Sequence, residues 1–120
     1  MKKINIVIVG CGEFAKCFVP LFKMHPTVEQ VRVCDIDKNK EKEYCKMFGV
    51  ESVASFEAAI EDESVNAIAI FTQRHTHGDL AVRALDGGKN VYSAVPMAIT
   101  VEDCKNIIDA VKRSGKTYMM

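Results

Sequence analysis

The chain has 120 residues, enough for one domain, which at this size buries roughly two-thirds of the surface its unfolded form exposes. Hydrophobic residues make up 48% and charged residues 27%, a globular balance rather than that of a disordered or fibrous chain. Sixteen basic and sixteen acidic residues cancel, which speaks against a nucleic-acid or anionic-membrane partner, and no apolar run approaches the length of a membrane span.

Ile4-Asn5-Ile6-Val7-Ile8-Val9 is a nearly unbroken aliphatic run, the pattern of a strand buried on both faces of a parallel sheet. The Met-Lys-Lys ahead of it leads into strand and glycine turn, not into the apolar core and cleavage site of a signal peptide. Gly10-x-Gly12-x-x-Ala15 follows at once, and Phe14, Phe18 and Phe22 begin a helical pattern. In such a motif the first glycine permits a tight strand-to-helix turn, the second lets a pyrophosphate approach bare backbone, and a small third residue lets the helix pack closely on the sheet. Free N–H groups and the positive end of the helix dipole then face the phosphates. Pro20 lies inside the helical pattern and predicts a kink, since an interior proline otherwise costs about 3 kcal/mol.

Gln30 to Cys34 reads as the second strand, with Asp35 at its carboxyl end, near the interval expected between the glycines and the acid that takes ribose hydroxyls. Lys38 to Phe48 reads as a charged helix with Tyr44, Met47 and Phe48 inward, its charges forming a solvated face, stopped by Gly49. A short strand at Ser52 to Ala54 and a short helix with Phe56, Ala59 and Ile60 inward come next. Ala67 to Phe71 is the fourth strand, and its exit loop, Thr72 to His77, feeds a helix carrying Leu80, Ala81, Ala84 and Leu85. Asn90 to Ser93 is the fifth strand. Thr100-Val101-Glu102-Asp103 resembles a capping box opening a helix with Val101, Cys104, Ile107, Ile108 and Val111 on one stripe. Lys116 to Met120 opens a sixth strand.

Strict alternation of strand and helix implies right-handed crossovers over a parallel sheet. The expected fold is α/β, a doubly wound three-layer α/β/α Rossmann sheet of order 3-2-1-4-5-6, with a ligand crevice where strands 1 and 4 part. The loops after those strands, Gly10 to Gly12 and Thr72 to His77, carry the unusual glycine and polar content of a binding edge. The five cysteines are odd in number and never spaced C-x-x-C, so a reducing, cytoplasmic setting is the simplest account. Cys11, near a helix N-terminus, has either an activated thiol or one that fills the turn. His75 and His77 have no third ligand nearby in the sequence, and no metal is expected.

Together, Gly10-x-Gly12-x-x-Ala15, Val33-Cys34-Asp35-Ile36-Asp37, the Thr72 loop with His77, Ala84-Leu85-x-x-Gly88-Lys89-x-Val91 and Pro96 resemble the N-terminal domain of the glucose–fructose oxidoreductase / inositol dehydrogenase (Gfo/Idh/MocA) family. The resemblance runs the length of the chain. It implies a two-domain enzyme that uses NAD or NADP to oxidise or reduce sugars, inositols and related molecules. Residues 1–120 are then the dinucleotide-binding domain. On this reading the α/β domain that would hold the small-molecule substrate is expected to be absent from this chain, and the apolar face meant for it is expected to invite self-association. Cofactor contacts fall on Gly10, Cys11, Gly12, Glu13 and Phe14, on Asp35 and Ile36, on Thr72, Gln73 and His77, and on Ala94. Glu13 is expected to turn its side chain aside while its N–H contributes. His77 either lines the cleft or holds structure.

Two departures from the family pattern stand out. Ala94-Val95-Pro96 occupies the place of the family's Glu-Lys-Pro, whose lysine assists proton movement beside the nicotinamide. Valine carries no proton, and positioned acid–base groups contribute about 10²- to 10⁴-fold. Gln73 stands where many relatives have proline. No catalytic residue is therefore assigned within this chain, which on its own is expected to be inactive. Asp35 favours NAD over NADP: a 2′-phosphate beside it is opposed by about 4 kcal/mol per unit charge at 4 Å and an effective dielectric near 20, a penalty that Lys38 and Lys40 soften. The alternatives are a nucleotide-binding regulatory or scaffold module without catalysis, and an S-adenosylmethionine-binding domain, which also pairs a glycine turn with an acid after strand 2.

Overall fold

The computed structural model describes residues 3–120; Met1 and Lys2, which open the Met-Lys-Lys start, lie outside the described residues. The strands are β1 (Ile4–Val9), β2 (Val28–Cys34), β3 (Glu51–Ser52), β4 (Ala67–Ile70), β5 (Asn90–Ser93) and β6 (Tyr118–Met119). They form one six-stranded sheet in the order β3-β2-β1-β4-β5-β6, with every pairing parallel. The helices are α1 (Val19–Met24), α2 (Lys38–Phe48), α3 (Phe56–Glu61), α4 (His77–Asp86) and α5 (Val101–Ser114). This is the doubly wound α/β/α arrangement expected from the alternation of patterns.

The period of two along β1 divides the core. Val7 and Val9 join β4's Ile68 and Ile70 under Phe56 and Ala59 of α3, Ala81, Ala84 and Leu85 of α4, and Ile107 and Ala110 of α5. Ile6 and Ile8 join Val31 and Val33 under Val19 of α1 and Tyr44 of α2. Each such fully buried aliphatic side chain contributes about 1.5–3 kcal/mol by leaving water. The helices begin where the sequence offers caps: the Asp37 carboxylate accepts from the N–H groups of Asn39 and Lys40 at the head of α2, and Thr100 Oγ1 accepts from Asp103 N at the head of α5.

Several details differ from the sequence reading: β2 begins at Val28 rather than Gln30, β3 lies at Glu51–Ser52 rather than Ser52–Ala54, and β4 ends at Ile70 rather than Phe71. The glycine turn is followed not by one kinked helix but by a three-residue 3₁₀ turn, Ala15–Cys17, after which α1 starts afresh with Pro20 in its first turn. A missing N–H costs nothing there, because first-turn donors lack helical acceptors anyway. The charges of α2 are not all solvated, since Glu41 is 6% exposed. Met47 faces outward. In α5 the inward stripe is narrower than periodicity alone indicates: Ile107 and Ala110 are buried, whereas Val101 and Ile108 are exposed.

The amino ends of the strands are stitched by side chains. Asn66 Oδ1 accepts from Asn5 N at 2.7 Å, and its carbonyl accepts from Asn90 N. Lys89, 5% exposed, donates its ammonium to the carbonyls of Asp62 and Val65, both at 2.8 Å. Asp62 in turn accepts from the hydroxyl and N–H of Ser64 and from Arg32 on β2. These bonds, the Ser64 hydroxyl foremost, hold its carboxyl down at about 2. A carboxyl depressed in the folded state adds stability that is complete above the ordinary carboxylate range and is lost as pH falls toward the folded value. Asp62→Asn is accordingly expected to melt below the unmodified protein at pH 7, with the gap closing between about pH 4 and pH 2. Melting curves across that range check it, and a gap independent of pH would count against it.

Candidate functional site

The strand order reverses between β1 and β4, so the loops leaving their carboxyl ends diverge and open a crevice. The loop after β1 is held by backbone geometry. Gly10 adopts φ +101°, and a Cβ there would lie 2.7 Å from the Phe71 carbonyl carbon and oxygen and 2.9 Å from Thr72 N. Only a residue without a side chain allows β1 and β4 to leave the sheet this close together. Gly12 is different: a Cβ there would meet nothing within 4 Å. That side of the backbone is open space. Among the described residues, no hydrogen bond uses the N–H of Gly12, Glu13 or Phe14. A row of unpaired donors on bare backbone is a cradle for anionic oxygen. Because the 3₁₀ turn and α1 are short, these individual N–H groups, not a long helix dipole, are what the turn presents.

Side chains brace this turn. Asp35, after β2, accepts from Cys11 N through Oδ2 and from Asp37 N through Oδ1, each at 2.7 Å. Its own N–H donates to Glu41 Oε1 at 3.2 Å. Glu41 also takes Lys38 Nζ at 3.2 Å, and Lys38 reaches the Ala54 carbonyl at 3.0 Å. Tyr44, 1% exposed, donates its hydroxyl to the Gly12 carbonyl. Neither Glu41 nor Tyr44 stood out as a site residue in the sequence; the only signal was their spacing, three apart on one helix face.

The other residues expected at the site fall as follows. Cys11 is 3% exposed, and burial, aided by the charge of Asp35, pushes its thiol up to about 12. The thiol is inert filling, and the N–H is what the turn uses. Glu13 points its carboxylate away, to Lys16 Nζ at 2.7 Å. Phe14 is exposed and leans on the rings of Phe18 and Phe71, while Ile36 stands wholly in solvent beside Asp35.

Across the crevice, Thr72 Oγ1 meets Thr76 Oγ1 at 2.6 Å, and Thr76 donates to the Gln73 carbonyl at 2.6 Å, so the loop is closed on itself without a proline. His77 is 2% exposed. Its ring nitrogens lie 2.8 Å from the Pro96 carbonyl and 3.0 Å from the Thr72 carbonyl. A neutral ring donates to one of the two, an imidazolium to both. His77 thus joins the loops after β4 and β5. Ala94 gives its N–H to Ile70, and Val95 is exposed, ahead of a cis peptide to Pro96. All five cysteines are free. Among the described residues no three His, Cys, Asp or Glu side chains converge to hold a metal, and no helix is long and apolar enough to cross a membrane.

Known proteins share this arrangement. Residues 4–120 match the Gfo/Idh/MocA family model, described as an oxidoreductase family with an NAD-binding Rossmann fold. Oxidoreductase P35 of Formosa agariphila is 32% identical over 116 residues, 95% of this chain and 36% of that protein. Inositol 2-dehydrogenase of Salmonella typhimurium is 32% identical over 91 residues, 74% of this chain and 27% of that protein. The crystal structure of an NAD-binding protein from Listeria innocua superposes with a TM-score of 0.88 at 35% identity, covering 98% of this chain and 35% of that one. Biliverdin reductase of Synechocystis, solved with biliverdin and NADP⁺, superposes at 0.90 with 26% identity, covering 97% of this chain and 37% of its own. The chain spans about a third of the length of these relatives. From turn, sheet order and match alike, the chain belongs to the Gfo/Idh/MocA oxidoreductase family, whose NAD(P)-binding Rossmann domain it forms.

Proposed function

We propose that the chain holds NAD in preference to NADP and serves an enzyme acting on a sugar, an inositol or a related small molecule. The observation that carries the cofactor reading is the bare turn beside Asp35: three unpaired N–H groups, an open side at Gly12 and an anchored acid. Once bound, the nicotinamide supplies the hydride donor or acceptor. The N–H groups of Gly12, Glu13 and Phe14 would take the pyrophosphate. Each oxygen of Asp35 keeps a lone pair for the adenosine ribose hydroxyls, and Ile36 offers hydrocarbon to the adenine. Thr72 and Gln73 lie on the nicotinamide side. The substrate class is supported by relatives named inositol 2-dehydrogenase and levoglucosan dehydrogenase.

The preference for NAD follows from charge. Lys38, the first cation after Asp35 in the sequence, is already committed to Glu41 and the Ala54 carbonyl, so it does little to offset repulsion between Asp35 and a 2′-phosphate. Titration calorimetry should show NADH binding at least tenfold tighter than NADPH. Equal affinities, or tighter binding of S-adenosylmethionine, would overturn the assignment. Asp35→Ala should cost about 1.5–3 kcal/mol of NADH affinity. It should also lower the melting temperature, because the Cys11 and Asp37 N–H groups lose their acceptor.

A second reading, a nucleotide-binding module without catalysis, is favoured by one observation: the exposed side chain where the family carries its lysine is the hydrocarbon of Val95. Steady-state NADH production over a panel of inositols and sugars separates the two. Turnover by a full-length protein retaining Val95 would place the proton-transfer group elsewhere and dispose of the silent module.

A further inference from the structure

We propose that Tyr44 is a positioning residue for the cofactor's pyrophosphate, setting the Gly12–Glu13 peptide so that the Glu13 N–H faces the crevice. The inference rests on the cofactor reading above and names a residue outside the glycine turn on which that reading depends. The Gly12–Glu13 peptide is trans, and in a trans peptide the carbonyl and the following N–H point in opposite directions. The Tyr44 hydroxyl draws the Gly12 carbonyl inward, toward α2. The Glu13 N–H is thereby turned away from α2, and among the described residues it donates to no acceptor. Without that bond the peptide is free to flip, since a glycine precedes it and places little restraint on its plane.

Packing alone does not account for a tyrosine here. The ring is 1% exposed and meets Phe48 edge-on at 5.3 Å, a contact phenylalanine would make equally well. The hydroxyl is the added element, and burial holds the phenol above its ordinary range, keeping the proton on the oxygen that donates. Tyr44 also shares a helix face with Glu41, which binds Asp35 N. One turn of α2 therefore grips both halves of the site, the ribose acid through Glu41 and the phosphate turn through Tyr44. The helix sets the distance between them.

Tyr44→Phe tests this. The variant keeps the ring and the fold, and its melting curve verifies that. NADH should bind about three- to tenfold more weakly, the worth of one hydrogen bond. Adenosine, which carries the ribose hydroxyls but no phosphate, should bind as it does to the unmodified protein, measured by ligand-observed NMR. Unchanged NADH affinity would overturn the proposal. So would an equal loss for both ligands, including loss through unfolding, because Tyr44 would then act on the fold at large. Failure of the unmodified protein to bind NADH is a separate outcome that removes the cofactor reading itself, and it is seen before any variant is made.

Discussion

Alanine at Gly10 should lower the stability of the protein by about 3 kcal/mol or more, a large effect for a single methyl group. Two costs combine. A side chain at φ +101° costs about 1–3 kcal/mol. Overpacking against atoms that cannot move away costs about 1–3 kcal/mol more. The atoms in question are backbone, the Phe71 carbonyl and Thr72 N, and they are fixed because Phe71 N already donates to the Val9 carbonyl at 2.8 Å. Relief requires separating β1 from β4 at the centre of the sheet. Against a total of about 5–15 kcal/mol for a typical domain, the loss corresponds to a fall of about 10 °C or more in melting temperature. A thermal melt indistinguishable from that of the unmodified protein would mean the two strands do not leave the sheet in such close contact.

Valine at Gly12, two residues on, should do the opposite. A Cβ there would meet no protein atom within 4 Å, so the melting temperature should hold or rise slightly, as the unfolded chain loses freedom. Cofactor affinity should nevertheless fall about 100-fold or more, equivalent to about 2.7 kcal/mol, because the isopropyl group stands where the phosphates need bare backbone. Calorimetry with NADH checks this on a variant whose folding is intact. Retained affinity would tell against the whole account of the turn. The pair separates two reasons for glycine that the motif merges: Gly10 serves the sheet and Gly12 serves the ligand.

β1 and β4 were legible because their burial is written in continuous aliphatic runs, and α2 and β5 occupy the residues that pattern and caps indicate, Lys38–Phe48 and Asn90–Ser93, whereas the exposed edge strand β3, with no such run, lies at Glu51–Ser52 rather than Ser52–Ala54. Interruption of the first helix was half legible. Pro20 announces a break, but whether a helix bends or starts again depends on how the preceding turn is packed, here by Phe14, Phe18 and Phe71. Burial of Glu41 was not legible at all. An acid enters a protein interior only where donors meet it, and one of its donors, Asp35 N, belongs to another element. The site shows the same limit. The two loops follow from strand order, whereas the inward turn of His77 depends on the Pro96 carbonyl, nineteen residues away.

That histidine has a consequence for how the crevice changes over generations. Its contacts are main-chain oxygens, at Thr72 and Pro96, and every amino acid carries that atom. The path of both rim loops is therefore indifferent to the side chains they bear. Gln73 and Val95 sit one residue from those oxygens, one on each loop. Side chains at these rim positions can be exchanged while the scaffold beneath them stays where it is, so the lining of the crevice can change without the fold having to follow.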